Sequence, residues 1–483
     1  MKFSISEILE NTSGYVFYQS PSFDTSKEYY LCAVNGMLKE FENTILVPIN
    51  IVINGAPVDT FVTLEKYINS GIRAFVFDET HFYKDDKILD LIAQNKDKID
   101  LIIMVPDTLQ AIFDMAHYTR VHKISANTKY IAVTGSIGKT TTTEMLYGIL
   151  NQNNTVYRGE PGANIKLRVA HKFLEVEPDV DYFLFECSGQ GRGYLKFFSE
   201  LLMPDLAVVT KIANENLGEY LTLKNLAKEK ITLLSAMSED SVAIVNGDCL
   251  LQDAAEDYIC KKIFIKDGSY ELLKSDKDGS EFIYKDEKYF IPVTGIHQID
   301  NAVKVIEAAL NLGFSSESIR AGLMKYQAIG NRWVVDEFPN GAVLITDCPN
   351  NPSYDTLIAN IKSFMKLYKD APYKRLVITR IKALGVYEQQ TYLKIAKYIV
   401  SLQIDELVCI GSEIMSIYEY VKDHSSIKTL FFDKPEKIDE KDKFISYLMS
   451  TMNFEQATLL KGQRKDGTIG YGGVKDVLRK YLK

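Results

Sequence analysis

The sequence has few of the residues that build disulfide scaffolds or transition-metal centres. Its 483 residues include only six cysteines and six histidines. The cysteines are scattered singly, without a C-x-x-C pair, which is typical of a protein from a reducing compartment. The histidines form no H-E-x-x-H or comparable spacing. We therefore expect neither a disulfide framework nor a histidine-based metal cluster.

Long apolar runs and an excess of positive charge are also missing. No stretch approaches the roughly 18 uninterrupted apolar residues of a membrane helix, and the N-terminus lacks the apolar core of a signal peptide. The 56 Lys and Arg against 64 Asp and Glu give a net charge of −8. A general nucleic-acid binder needs clustered positive charge, so this balance argues against one. We expect a cytoplasmic, soluble protein that binds neither membrane nor nucleic acid.

The length and the residue pattern predict several α/β domains. An apolar fraction of 46% with 25% charged residues is ordinary for a globular protein. Strand-like runs, predicted at 45–53, 74–78 and 101–105, alternate with helical patterns, which favours mostly parallel sheets covered on both faces. A helix is predicted over 107–124, with Asp107 or Thr108 as its cap. At about 150 residues per domain, the chain has room for roughly three domains.

The most informative segment is VTGSIGKTTT, Val133 to Thr142, between a strand and a helix. Gly135 and Gly138 let the backbone turn so that N–H groups face a polyphosphate. Lys139 can neutralise phosphate oxygens, and the Thr140 hydroxyl can ligate Mg²⁺. The general G-x-x-x-x-G-K-[ST] pattern is met only as a variant, because its first position falls on Val133. The segment predicts an ATP site that uses Mg²⁺.

The stretch Thr134 to Thr141 resembles the T-G-x-x-G-K-T-T loop of the Mur ligase family, and DTLQAIFDMAHYTR resembles the helix before that loop in its D-alanyl-D-alanine-adding branch. The resemblance implies a three-domain architecture, with a central P-loop ATPase domain of mostly parallel sheet and a C-terminal Rossmann-like domain. The domains expected are 1–125 for the acid substrate, with a UDP-linked acid as one candidate, 126–329 for ATP and 330–483 for the amine. The loop residues expected at ATP are Thr134, Gly135, Ser136, Gly138, Lys139, Thr140 and Thr141.

The resemblance also implies positions for catalysis and metal binding. Glu186 ends the strand YFLFE, where the family has a glutamate that holds magnesium. Lys230 stands where most Mur ligases carbamylate a lysine, and that carboxylate supports a second metal. The chain departs from the family at Asn216, which replaces a metal-binding histidine, and at Lys211, which replaces an asparagine. Lys139, Glu186 and Lys230 are the expected catalytic residues, with Thr140 and Asn216 as further metal ligands.

Later motifs resemble the nucleotide and amine contacts of the family. His297 and Asn301 in GIHQIDN match nucleotide contacts, although His297 could equally be an ordinary residue at a helix start. Arg332 and Asp347 match a phosphate contact and a ribose or water contact, and Cys348 replaces the usual aromatic residue. The candidates for holding the incoming amine are Asn351, Arg380, Lys461 and Arg464. The last two could equally be solvated charges.

Taken together, these features predict an ATP- and Mg²⁺-dependent acid–amino acid ligase that acts through an acyl phosphate in peptidoglycan or other envelope precursor synthesis, as a monomer. Two alternatives stay open. One is a divergent ligase of the same chemistry for a non-murein acid, which the weak match of SPSFDTS (20–26) to a uridine-binding stretch favours. The other is a nucleotide-binding regulatory or scaffold protein that has lost ligation, which Asn216 and Cys348 motivate.

Overall fold

In the computed structural model, the described residues form two compact units. The first unit comprises Met1–Ile131, Asn153–Gln190 and Lys196–Asp205, and the second comprises Ala132–Gln152, Gly191–Leu195 and Leu206–Lys483. The predicted domains 1–125, 126–329 and 330–483 divide the chain more finely, and their boundaries stay a prediction. The described residues are 1–33, 41–53, 56–84, 86–159, 165–189, 191–213, 217–276, 278–327, 333–348, 354–381, 384, 387–434, 441–452, 456–461 and 474–482.

The first unit begins with a five-stranded sheet in the order β1-β7-β6-β3-β2, in which only β1 is antiparallel to its neighbour. Two further strands, β4 and β5, form a separate antiparallel hairpin. The strands are β1 (Tyr15–Gln19), β2 (Tyr30–Cys32), β3 (Thr44–Leu46), β4 (Asn50–Ile53), β5 (Ala56–Asp59), β6 (Ala74–Asp78) and β7 (Leu101–Val105). The helices are α1 (Ile5–Thr12), α2 (Leu64–Asn69), α3 (Glu79–Lys84), α4 (Asp86–Gln94) and α5 (Thr108–Tyr118).

The single strand predicted over 45–53 is wrong, because β3 ends at Leu46 and β4 begins at Asn50 in another sheet. Pro48 lies between them and has no N–H to give to a ladder, so one strand cannot continue through it. The predicted helix start is confirmed. Asp107 is the N-cap of α5, and its carboxylate accepts a hydrogen bond from the Gln110 N–H. The α-helix itself ends at Tyr118, and a wider π-helical turn, Thr119–Lys123, covers the rest of the predicted helix to within one residue of its end.

The middle of the chain supplies elements to both units, and its strands are mostly parallel. In the first unit β9 pairs with β10 in parallel, and in the second unit β11, β12 and β13 pair in parallel. The strands are β8 (Lys129–Thr134), β9 (Val156–Arg158), β10 (Tyr182–Glu186), β11 (Leu206–Val209), β12 (Val242–Asn246) and β13 (Lys261–Ile265). The helices are α6 (Lys139–Leu150), α7 (Lys166–Glu175), α8 (Tyr194–Leu202), α9 (Leu217–Tyr220), α10 (Leu223–Ile231) and α11 (Cys249–Ala255).

An antiparallel sheet of three strands and two helices follow in the second unit. The strands are β14 (Glu271–Asp276), β15 (Gly279–Tyr284) and β16 (Glu287–Ile291), and the helices are α12 (Ile296–Asn311) and α13 (Ser316–Met324). Buried side chains cover most of α12, including Ala302, Val305 and Ile306, so this helix is part of the core.

A six-stranded sheet, the C-terminal sheet, completes the second unit in the order β17-β18-β22-β19-β20-β21. The pair β17 and β18 is antiparallel and the other pairs are parallel. The strands are β17 (Val334–Glu337), β18 (Val343–Asp347), β19 (Tyr373–Thr379), β20 (Glu406–Ile410), β21 (Lys428–Phe432) and β22 (Gln456–Lys461). The helices are α14 (Tyr354–Leu367), α15 (Glu388–Val400), α16 (Met415–His424), α17 (Lys443–Thr451) and α18 (Val474–Leu478).

Two hydrophobic clusters pack against the C-terminal sheet, one containing Ile361, Ile395 and Leu459 and the other Val377, Leu448 and Leu478. Parallel strands with burial of this kind confirm the predicted α/β class with mostly parallel sheets. Within the described ranges, no helix has both the length and the apolar character that a membrane crossing requires.

Candidate active site

The predicted phosphate loop joins the end of β8 to the start of α6. Gly135 has φ 136° and Gly138, the residue before the helix, has φ 90°. Both angles lie where glycine is favoured over side-chain-bearing residues. The N-terminus of α6 follows directly, so its N–H groups and its dipole favour an anion at the loop. The strand, the glycine turn and the helix therefore follow one another as the sequence predicts.

Thr210, which directly follows β11, is hydrogen-bonded to this loop. Its hydroxyl donates to the carbonyl oxygens of Ile137 at 2.6 Å and Thr134 at 3.0 Å, and its N–H also donates to Thr134 O at 2.8 Å. A Cβ at Gly135 would lie 2.0 Å from Thr210 Oγ1, which no side chain tolerates. Gly135 is thus required both by its backbone angle and by this close approach. Sequence reasoning did not identify Thr210 as a loop residue.

Lys139 folds back over the loop. Its Nζ donates to Gly135 O at 2.7 Å and to Ser136 O at 3.0 Å. Thr134, Thr140 and Thr141 are buried around the same turn. A lysine held over the loop carbonyls beside a helix N-terminus places positive charge where a bound polyphosphate would lie.

Lys211, one of the departures from the family pattern, supports the loop through its backbone. Its carbonyl oxygen accepts from the N–H groups of Ser136 at 2.9 Å and Ile137 at 3.2 Å. Its Nζ pairs with Asp267 at 2.8 Å. Burial opposes the charge of Lys211, but the Asp267 carboxylate raises the pKa of Lys211 overall. The loop contacts use only main-chain atoms, so they do not depend on the asparagine that is usual at this position.

Helix α12 brings two predicted nucleotide contacts to the site. Asn301 lies against the loop, since a Cβ added to Gly138 would be 2.3 Å from Asn301 Oδ1. His297 is in the first turn of α12. Burial lowers the pKa of His297 to about 4, the Asp347 carboxylate opposes this change and the Lys461 ammonium adds to it. His297 is therefore neutral at pH 7 and close to two other predicted site residues.

Asp347, at the end of β18, is the centre of a buried polar cluster. Its carboxylate accepts from Trp333 N at 3.1 Å, from Asn360 Nδ2 and from Lys461 Nζ. Lys461 ends β22 and is only 3% exposed, so its interpretation as a solvated charge is wrong. The structure thus joins Asp347 and Lys461, which the sequence placed in separate motifs.

Lys230 and Glu186 are both buried. Lys230, on α10, has no exposed surface, and Glu186, the last residue of β10, is 9% exposed. Neither side chain is therefore a solvated surface charge. Burial alone does not show a catalytic role for either residue, and the carbamylation of Lys230 stays a prediction.

The donor types at these positions suit Mg²⁺, which binds through one or two carboxylates with phosphates and waters completing its shell. Glu186 offers a buried carboxylate at a strand end, and Thr140 offers a buried hydroxyl in the first turn of α6. Across the ranges given above, no three His, Cys, Asp or Glu side chains are grouped as an all-protein metal cage. A magnesium ion bound at Thr140 would depend on the nucleotide for part of its coordination.

Of the remaining predicted residues, the structure describes Arg380. Arg380 follows β19 and lies 3.7 Å from the Glu413 carboxylate. Asn216, Arg332, Asn351 and Arg464 lie outside the described residues. Their predicted roles as metal ligand, phosphate contact and amine contacts stay predictions.

The chain is similar to known proteins both in sequence and in structure. Residues 133–309 match the Mur ligase middle domain. The UDP-N-acetylmuramoyl-tripeptide–D-alanyl-D-alanine ligase of Borreliella burgdorferi is 26% identical over 428 residues, which cover 85% of this chain and 86% of that protein.

Two crystal structures share the fold. MurF from Acinetobacter baumannii aligns with a TM-score of 0.80 at 18% identity, over 100% of this chain and 99% of that one. The MurF ligase of Thermotoga maritima in complex with ADP aligns with a TM-score of 0.73 at 16% identity, over 94% of this chain and 98% of that one. The chain is therefore similar to Mur ligases, and its match to their middle domain covers residues 133–309.

Proposed function

We propose that the chain is an ATP-dependent ligase that joins D-alanyl-D-alanine to the peptide of a UDP-N-acetylmuramoyl-tripeptide, in peptidoglycan precursor synthesis. The tripeptide carboxylate attacks the γ-phosphorus of ATP, and ADP leaves. The amine of the dipeptide then attacks the acyl carbon of this acyl phosphate. Phosphate leaves as the amide bond forms, and the amine gives up a proton.

The phosphate loop is the observation that carries this proposal. Gly135 and Gly138 turn the backbone, Lys139 lies over it, and α6 begins at its end. Phosphoryl transfer requires alignment and neutralisation of charge more than covalent catalysis. Such a loop therefore supplies what the first step needs, and the relatives named above supply the substrate class.

Each predicted residue receives a role in this scheme. Lys139 neutralises charge on the transferred phosphoryl group, and Asn301 and His297 contact the nucleotide beside the loop. Asp347 accepts from a nucleotide hydroxyl or from water. Mg²⁺, with the Thr140 hydroxyl as a donor, would neutralise the phosphate oxygens. Glu186 keeps its separate predicted role as a magnesium ligand. Lys230 would support a second ion only as a carbamate, because an ammonium group cannot ligate a cation.

The amine side is proposed from charge. Lys461 is buried beside Asp347, and Arg380 lies at the carboxyl end of the neighbouring strand β19. A guanidinium such as that of Arg380 can hold the carboxylate of an incoming dipeptide. Lys461 is buried in its pair with Asp347, whereas Arg380 is more exposed and lies 3.7 Å from Glu413, so Arg380 is the more accessible candidate of the two.

The test is to incubate the purified protein with ATP, Mg²⁺, the UDP-linked tripeptide and D-alanyl-D-alanine, and to follow phosphate release and product mass. Phosphate release that requires both the acid and the amine is expected. Lys139→Ala is expected to abolish turnover. Lys129→Ala, which removes a largely exposed lysine paired with Asp205, is the matched control and should leave turnover unchanged.

Two other outcomes would redirect the proposal. Coupled product with a different acid, but none with the UDP-linked tripeptide, would establish the divergent ligase. ATP binding without any coupled product across a panel of acids and amines would favour a nucleotide-binding regulatory protein. Normal turnover by Lys139→Ala would contradict the assignment of the loop.

A further inference from the structure

Trp333 is the single tryptophan of the chain, and it is held in an unusual conformation. Its side chain is 5% exposed and its φ is 51°. A bulky residue rarely adopts this left-handed region, and the cost is sustained only where the surroundings fix the residue. The contacts that fix Trp333 therefore indicate what its position achieves.

Three contacts hold Trp333, and two of them are to predicted nucleotide residues. Its backbone N–H donates to Asp347 Oδ1 at 3.1 Å. Its indole N–H donates to Thr294 Oγ1 at 2.9 Å, within a buried environment. Its ring packs edge-on against His297, with ring centroids 6.4 Å apart.

These contacts connect two distant parts of the second unit. Thr294 lies two residues before α12, the helix that carries His297 and places Asn301 against the phosphate loop. Asp347 ends β18 in the C-terminal sheet. The backbone and the indole of Trp333 thus join the start of α12 to the carboxyl end of β18.

We infer that Trp333 is a positioning residue that holds His297 and Asp347 in the arrangement that receives the nucleotide. The inference rests on the proposed function, because it assumes that these two residues contact ATP. A site whose groups are already in place loses less free energy on binding than one that must order them. Loosening Trp333 should therefore weaken nucleotide binding more than it slows the reaction of the bound nucleotide.

Two substitutions test the indole hydrogen bond from opposite sides. Trp333→Phe keeps an aromatic ring but removes the N–H, and Thr294→Val removes the acceptor at nearly constant volume. Each is expected to raise the Kd for ADP and the KM for ATP about three- to tenfold, with kcat within about twofold, as the loss of one buried hydrogen bond predicts. Thr294→Ser keeps the hydroxyl and should bind ADP as the wild type does.

Indole fluorescence gives a second readout that does not depend on turnover. Because the chain has one tryptophan, its emission reports this position alone. Saturating ADP should change the emission or the acrylamide quenching of Trp333 in the wild type and in Thr294→Ser. Thr119→Val, which removes another buried threonine hydroxyl bonded to a carbonyl, is the matched control and should not alter the affinity for ADP.

The outcomes separate this inference from the proposed function. If the wild type binds no nucleotide, both the proposed function and the positioning role are overturned. If the wild type binds ADP and ligates, but folded Thr294→Val binds ADP with unchanged Kd and ADP leaves Trp333 emission unaltered, only the positioning role is overturned. The Thr294 pair keeps the test decisive even if Trp333→Phe does not fold.

Discussion

Two buried ion pairs lie at opposite ends of the C-terminal sheet. Asp347 and Lys461 pair at the carboxyl ends of β18 and β22, whereas Arg375 and Glu406 pair near the amino ends of β19 and β20. All four side chains are buried. The pairs have the same charges in the same sheet, so differences between them come from their surroundings.

The partners of each pair show the difference. Glu406 also accepts from Tyr447 and from Lys428, and Arg375 donates to Thr451 at 3.0 Å. Lys428 lies on β21 of the same sheet, and Tyr447 and Thr451 lie on α17. Asp347 instead accepts its further hydrogen bonds from Trp333 and Asn360. Its charge also acts on His297 of α12, where it opposes the larger lowering of the pKa by burial.

Ligands of open α/β sheets bind beyond the carboxyl ends of the strands. The Asp347 pair is at that edge and the Arg375 pair is at the other, so we expect the first to serve binding and the second to serve stability alone. Four experiments test this contrast.

Glu406→Gln is expected to have the largest effect on stability. Removing the carboxylate leaves the Arg375 guanidinium buried without its counter-charge, which typically costs about 3–5 kcal/mol. Urea denaturation measures the loss in the free energy of unfolding, and the folded variant should bind ADP with unchanged Kd. Asp370→Asn, in a highly exposed pair with Lys369, is the control and should change stability by less than about 0.5 kcal/mol. Weaker ADP binding by Glu406→Gln would erase the contrast between the two pairs.

Lys461→Met is expected to lower both stability and activity. The buried Asp347 carboxylate loses its counter-charge, at a cost of about 3 kcal/mol, and kcat/KM for ATP should fall at least about tenfold. Steady-state kinetics beside urea denaturation separates the two effects. A variant that loses stability but ligates normally would show that this pair, too, is only structural.

The pH dependence of the free energy of unfolding should also distinguish the surroundings of the Asp347 pair, which include His297, from those of the Arg375 pair. His297 has a folded pKa of about 4, against an ordinary value of 6.5. As pH falls from 6.5 to 4, the unfolded chain binds a proton that the folded chain does not, so the free energy of unfolding should fall by about 2 kcal/mol. Burial opposes the ionised form of Glu406, but Tyr447 and Arg375 lower the pKa of Glu406 overall, so its contribution is lost only below its ordinary value of 4.5.

Unfolding curves measured between pH 4 and pH 7 check this expectation. His297→Gln should flatten the dependence above pH 4.5, whereas His424→Gln, at an exposed position of α16, should leave it unchanged. An unaltered slope in His297→Gln would refute the assignment.

Replacing both partners should give the smallest effect at the Arg375 pair. Arg375→Met with Glu406→Leu removes both charges, which is often close to neutral. The donors left behind, a part-buried Tyr447 hydroxyl and a largely exposed Lys428, can bind water instead, so stability should return to within about 1 kcal/mol of the wild type. Asp347→Leu with Lys461→Met should stay less stable by about 1–3 kcal/mol, because the Trp333 N–H and the Asn360 amide lose their acceptor. Equal recovery in both double variants, measured by denaturation, would contradict the distinction.

The sequence predicts local features of the site well and long-range features poorly. The phosphate loop and the Asp107 cap follow from residues within a few positions of one another, and the structure has both. The pairing of Asp347 with Lys461 joins residues 114 positions apart. No spacing rule reports such a pair, because it arises when β18 and β22 become neighbours in the sheet.

The missed residues share this cause. Thr210 and Thr294 are ordinary threonines in the sequence, and they gain a role only when a carbonyl or an indole from elsewhere reaches them. Trp333 offered a weak signal, as the only tryptophan and the residue after the predicted Arg332. The Arg375 and Glu406 pair offered none, since each residue lies within a strand whose apolar neighbours dominate the pattern.

The contact between Gly135 and Thr210 constrains how the loop can evolve. Any side chain at position 135 would collide with the Thr210 hydroxyl, and a residue without a hydroxyl at position 210 would give up the side-chain hydrogen bonds to the loop. Neither position can therefore change first without a loss. Across relatives of this chain, these two positions, 75 residues apart, should vary together or not at all.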